Sequence, residues 1–215
     1  MDAEVFRAWI RSAAEVVEAN RDHLTQLDAA IGDADHGINL ARGFAAALEA
    51  LDDHDRGAAA PMTPGKILSV TGRTIISTVG GAAGPLYGMA FRRAGKSLAD
   101  AADVDLPTLS AALDAALAGV QQLGAAVEGD KTMVDALAAA TRAFGKAIAE
   151  GASADEALDA LTQAAEAGAE ATISMQALKG RASYLGPRSV GHEDPGAVST
   201  ALILGALRDA AQAGR

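Results

Sequence analysis

The chain reads as all-α. Apolar residues recur at three- and four-residue spacing through most of its 215 positions, and the alternation of half-buried strands hardly appears. Several segments also open on helix-capping residues. Eight segments carry the helical period, at roughly 3–28, 38–52, 64–79, 84–98, 107–126, 131–150, 154–177 and 195–213, each boundary placed to within about three residues. The first follows Met1-Asp2, and its apolar run is interrupted by Arg7, Arg11 and Glu15. The second ends on Asp52-Asp53-His54-Asp55, read as a solvated helix end that leads into a surface loop over 52–61. The third and eighth start on Thr63-Pro64 and Asp194-Pro195, where a capping oxygen precedes a proline whose missing N–H costs nothing in a first turn. The fourth follows Gly80-Gly81-Ala82-Ala83-Gly84-Pro85, with Pro85 in its first turn, and the fifth rests on apolar spacing alone. The sixth begins in Gly129-Asp130-Lys131-Thr132-Met133, and the seventh behind the capping box Ser153-Ala154-Asp155-Glu156. Short connections favour antiparallel neighbours, so a bundle or closed ring of up-and-down helices in one domain, 1–215, is the economical arrangement.

Hydrophobic residues form 50% of the chain but aromatics only 3%, so small side chains must fill the core and bring helices close together. A formal charge of −10 argues against general binding to nucleic acid or an anionic membrane, both of which rest on clustered Lys and Arg. Any phosphate must therefore be met by a local site. With no cysteine the chain has no disulfide, thiol nucleophile or thiolate metal site, which is compatible with a cytoplasmic home. The acidic start does not resemble a secretion signal, and the apolar stretch Ala197 to Leu207 is too short to span a bilayer.

The chemistry concentrates in loops. Asp28, Asp33 and Asp35 fall within eight positions, and Gly32 and Ala34 between them let the chain turn tightly enough for three carboxylates to converge. Such crowding calls for a cation, and hard oxygen donors select magnesium, calcium or manganese over zinc. The alternative is a solvated helix end in which Asp33 or Asp35 only caps the next helix. The glycine loop at 80–84 stands before a helix, where free N–H groups and the macrodipole suit phosphate, or where the loop is a plain interhelical turn. It matches neither GxxxxGK[ST] nor GxGxxG. The long loop 178–194 carries Lys179, Arg181 and Arg188, able to neutralise phosphate charge. In an antiparallel array, alternate loops gather at one end. Those at 28–37, 80–84, 127–133 and 178–196 would then share a rim, bringing a metal, a phosphate cradle and cations together, which is most of what phosphoryl transfer requires. Asp52-Asp53-His54-Asp55 suggests the acidic motif of terpenoid synthases, but Arg56 stands where its last acid belongs. His36 is expected in a helix-end contact, and His23 and His54 at the surface.

Five ordered blocks make the chain similar to the nucleotide-binding L subunit of dihydroxyacetone kinase, the DhaL family, and to the C-terminal domain of single-chain dihydroxyacetone kinases. They are Gly32-Asp33-Ala34-Asp35-His36-Gly37-Ile38-Asn39, the glycine loop continuing through Leu86-Tyr87-Gly88, Gly129 to Asp135, Lys179 to Gly186, and Gly191 to Ala197. The resemblance implies an eight-helix antiparallel barrel with the site at one rim. It implies two Mg2+ ions at Asp28, Asp33 and Asp35, and ADP or ATP contacted by His36, Gly37, Ile38, Asn39, Ala82, Ala83, Gly124, Met133, Arg181 and the Asp194-Pro195-Gly196 turn. Arg181 would serve catalysis by stabilising phosphate charge. Family members often carry a hydroxyl residue where Ala83 stands, which leaves only its backbone N–H for phosphate. The implied partners are a K subunit that holds dihydroxyacetone and a phosphohistidine-carrying M subunit of the phosphotransferase system that recharges bound ADP; a homodimer is left open. Two further readings are an ATP-exchanging kinase subunit for another small ketose or polyol, such as erythrulose, and a non-catalytic nucleotide-binding module that docks a partner.

Overall fold

In the computed structural model, which describes residues 1–57 and 61–214, the described residues form nine α-helices, two 3-10 segments and no strand. The first predicted helix is two. Helix α1 (Ala3–Ala19) starts where the Asp2 side chain accepts from the N–H groups of Glu4 and Val5, and it stops at Asn20. There ψ rises to 10° and the Asn20 amide donates to the Val16 carbonyl at 2.8 Å. Helix α2 (Arg21–Ile31) continues from that bend to the acidic loop.

Helix α3 (His36–Gly57) starts within the predicted margin and runs past its predicted end. Its start is capped from outside, because Asp28 Oδ2 accepts from the N–H groups of Asp35 at 2.8 Å and His36 at 3.1 Å. Its end persists through the acidic run because Arg7 of α1 pairs with Asp52 and Asp55 across the interface. The surface loop expected over 52–61 is thus helical to Gly57, residues 58–60 lie outside the described residues, and His54 is half-buried where surface exposure was expected.

The remaining helices are α4 (Pro64–Thr78), α5 (Ala83–Leu98), α6 (Leu106–Gly124), α7 (Met133–Ala149), α8 (Ala154–Ala171) and α9 (Pro195–Ala213). The caps predicted at Thr63, Ser153 and Asp194 are all made, and Thr132 with Asp135 forms a second capping box. Helix α8 stops short of the predicted 177 and gives way to a 3-10 turn, Thr172–Ser174. The long loop holds a 3-10 segment, Arg181–Ser189, kinked at Gly186.

Packing runs from α1 to α3 and on through each helix in order to α9, which packs back on α1; α2 lies against α3 and α9. The cycle of neighbours is therefore closed. Glycine permits a close crossing of α4 and α5: a Cβ at Gly72 would stand 2.6 Å from the Gly88 carbonyl, and one at Gly65 2.4 Å from the Ala99 carbonyl. Four of the scarce aromatics, Phe6, Trp9, Phe44 and Phe91, are buried together in the core. Phe6 meets Trp9, Trp9 meets Phe91 and Phe91 meets Phe44, with centroids 5.7–5.9 Å apart, while Trp9 Nε1 donates to the Ile203 carbonyl at 2.9 Å. Edge-on pairs, as Phe6–Trp9 and Phe44–Phe91 are, add about 1 kcal/mol each beyond the area they bury. No helix among the described residues is long and apolar enough to cross a membrane.

Candidate functional site

The α2–α3 turn folds the acidic loop back on itself. Ala34 takes a left-handed φ of 62°, a conformation that L residues rarely adopt, and so turns Asp33 and Asp35 toward one side. Gly32 leaves room for the third acid, since a Cβ there would stand 2.0 Å from Asp28 Oδ1. One carboxylate oxygen from each of Asp28, Asp33 and Asp35 then lies within 4.8 Å of the others. Asp28 is buried, Asp35 half-buried and Asp33 exposed, so the group faces solvent on one side only. A second feature was not legible in the sequence: Asp28 is itself the cap of α3, a role that had been considered for Asp33 or Asp35.

An open cleft of about 850 Å3, solvent mouth included, joins this acidic group to the glycine loop, to Lys131–Met133, to Lys179–Ala182 and to Asp194–Gly196. Four predicted loops therefore do share one rim. Helix α5 opens onto the cleft with Ala82 at its N-cap and no side-chain cap, which leaves its positive end toward the cavity. Gly81, at φ 64°, makes the turn into it. Arg181 crosses from the long loop to pair with Asp33 Oδ2 at 2.9 Å. Asn39 is buried beside the glycine loop, and its Oδ1 accepts from Arg42, whose Nε donates to the Thr78 carbonyl.

Of the predicted site residues, Asp28, Asp33, Asp35, His36, Asn39, Ala82, Ala83, Met133, Arg181, Asp194, Pro195 and Gly196 line the cleft. Gly37, Ile38 and Gly124 are not among its lining residues. Gly37 is sealed against α2, where a Cβ would stand 2.0 Å from the Arg21 carbonyl; Ile38 is half-exposed beside the rim; Gly124 ends α6 behind Leu86, which does line it.

Behind the cleft lies a polar network that sequence reasoning missed. His36 Nε2 and Ser199 Oγ are 2.8 Å apart, and Tyr87 OH lies 2.7 Å from Ser199 Oγ and donates to the Gly196 carbonyl at 2.9 Å. The network ties α3, α5 and α9 together at the site. Burial holds the His36 imidazole below its usual range against the pull of Asp28 and Asp35, so the ring is neutral at pH 7. Burial likewise pushes the Tyr87 phenol far up, which keeps it a donor.

Asp194 caps α9 by accepting from the Ala197 N–H at 2.8 Å, yet burial pushes its carboxyl up to about 7 against that bond and the charge of Lys131. An acid whose folded value is raised contributes stability fully present below the unfolded value near 4 and lost as pH rises through about 7. Asp194→Asn keeps the cap without the charge. Its melting temperature is expected to fall less than that of the parent chain between pH 4 and 7, a difference on the order of 2 kcal/mol readable by calorimetry at a series of pH values.

Comparison with known proteins gives the family. The DAK2 domain family matches residues 30–209. The chain is 40% identical over 204 residues to the Escherichia coli (strain K12) "PEP-dependent dihydroxyacetone kinase, ADP-binding subunit DhaL", covering 95% of each. It is 37% identical to the "PTS-dependent dihydroxyacetone kinase, ADP-binding subunit DhaL" of Lactococcus lactis, covering 93% of each. Among solved structures it superposes on the dihydroxyacetone kinase of C. freundii in complex with AMP-PNP and Mg2+, with a TM-score of 0.71 and 26% identity over 97% of this chain. It spans about a third of that kinase chain, 34%. On matched length, identity and shared fold alike, the chain belongs to the DAK2 domain family.

Proposed function

We propose that this chain is the nucleotide-binding subunit of a dihydroxyacetone kinase, a phosphotransferase active only with partners. The observation that carries the reading is the convergence of Asp28, Asp33 and Asp35, the open N-terminus of α5 and Arg181 in one cleft. The donor set fits Mg2+, a hard cation that takes a few carboxylates and completes its shell with water and phosphate oxygens. Asp28, Asp33 and Asp35 would hold two such ions, which supply neutralisation of phosphate charge when bound. The N–H groups of Ala82 and Ala83 at the α5 terminus would take phosphate oxygens, His36, Asn39, Met133 and the Asp194–Gly196 turn the rest of ADP or ATP. Arg181, freed from Asp33 by the cations, would stabilise charge on the transferring phosphoryl group.

Dihydroxyacetone would come on a separate K subunit, and an M subunit carrying phosphohistidine would recharge bound ADP. What supports docking at this rim is its apolar fringe: Ile38, Val127, Leu178, Tyr184 and Val190 are each 44–88% exposed, and all flank the cleft or its loops. We place the assembly in the cytoplasm, where a phosphoenolpyruvate-fed phosphotransferase chain operates. The test is reconstitution with K and M subunits and a phosphoenolpyruvate-driven donor chain. Formation of dihydroxyacetone phosphate that requires this chain is expected; no product despite bound ADP would contradict the reading and favour a docking module.

A further inference from the structure

Lys131 is a full-length lysine buried to 1% exposure just before α7, in the wall of the cleft. Its ammonium donates to two backbone carbonyls, those of Thr172 and His192. These carbonyls stand at the two feet of the segment that carries Arg181. Other bonds tie the same feet: Gly191 N–H donates to the Ile173 carbonyl at 2.7 Å, Asp194 N–H to Thr172 Oγ1 at 2.9 Å, and Leu178 N–H to the Asp130 carbonyl at 3.1 Å. Burial disfavours the charged ammonium, and Asp194, Asp135 and Glu193 lie near enough to offset part of that cost. The backbone of Lys131 also adopts a left-handed φ of 61°, where glycine or asparagine is ordinarily preferred. A lysine at such a position is explained by what its side chain reaches.

We propose that Lys131 is a positioning residue whose ammonium straps the two feet of the 172–194 segment together, and so holds Arg181 and the Asp194–Gly196 turn over the cleft. The strap acts through the loop, its ammonium engaged by the Thr172 and His192 carbonyls. Its consequence for nucleotide binding rests on the function proposed above; its effect on the loop does not.

The full-length chain is compared with Lys131→Met, which keeps the stem without the charge, and Lys131→Gly, which also relieves the left-handed backbone. Hydrogen exchange at the amides of 178–192 and ADP titration in the presence of Mg2+ are the readouts. The strap predicts faster exchange confined to 178–192 in both variants and ADP affinity lowered about tenfold or more. It also predicts that Arg181→Ala costs less affinity in the Lys131→Met background than in the parent chain, because both changes act through one group. Parental exchange over 178–192 in either folded variant would overturn the proposal, as would exchange raised evenly over the whole chain. If the parent chain binds no ADP, the nucleotide reading fails while the exchange pattern still decides the strap. Should Lys131→Met not fold, Lys131→Gly carries the same comparison.

Discussion

Asp28→Ala is expected to lower the affinity for ADP with Mg2+ about 100-fold or more and to lower the melting temperature by roughly 3–6 °C. Two roles meet in that carboxylate. One oxygen faces Asp33 and Asp35 in the acidic group, and Oδ2 accepts from the N–H groups of Asp35 and His36 at the head of α3. Removing a buried cap costs about 1–2 kcal/mol, which in a chain of this size is a few degrees. Asp35→Ala separates the roles. Its N–H still reaches Asp28, so the same loss of ADP affinity is expected with melting nearly unchanged. Calorimetric titration with thermal melts of both variants checks this; parental ADP affinity in Asp28→Ala would remove it from the site.

Gly37→Ala is the second large effect. A Cβ at Gly37 would stand 2.0 Å from the Arg21 carbonyl and 2.7 Å from Thr25 Oγ1. Neither neighbour can retreat easily: the carbonyl belongs to α2, and Thr25 Oγ1 already donates to it at 2.8 Å. The crossing must open, at about 2–3 kcal/mol, or a fall in melting temperature on the order of 5–10 °C. His36 and Asn39 flank Gly37 in the same turn, so nucleotide affinity is expected to fall with stability. Gly37 would then serve the site by packing, where the family resemblance had implied contact with the nucleotide. A stable variant with weakened ADP binding would instead favour direct contact.

Much of the fold was legible because helical period and caps are local. Thr63, Ser153 and Asp194 cap the helices the sequence assigned to them, and glycines at Gly65, Gly72 and Gly88 make the close contacts that a small-residue composition required. The errors are non-local. The apolar spacing runs unbroken through Asn20, so the bend there was invisible, and α3 outlasts its expected end because Arg7, 45 positions before Asp52, pairs with it. The acidic loop and glycine loop were legible because their chemistry is written in adjacent residues. Lys131 was not, since a lysine in a turn is ordinarily a solvated charge and only the long loop's return, 61 positions later at His192, buries it. The partnership of His36, Ser199 and Tyr87 was hidden for the same reason, its members lying up to 163 residues apart.

The most direct test is crystallographic: the chain grown with ADP and Mn2+ in place of Mg2+, with anomalous scattering used to place the metal. The expected map has manganese on the carboxylate oxygens of Asp28, Asp33 and Asp35, bridged to ADP phosphates lying before the α5 N-terminus. Nucleotide bound elsewhere, or manganese without contact to those three side chains, would contradict it.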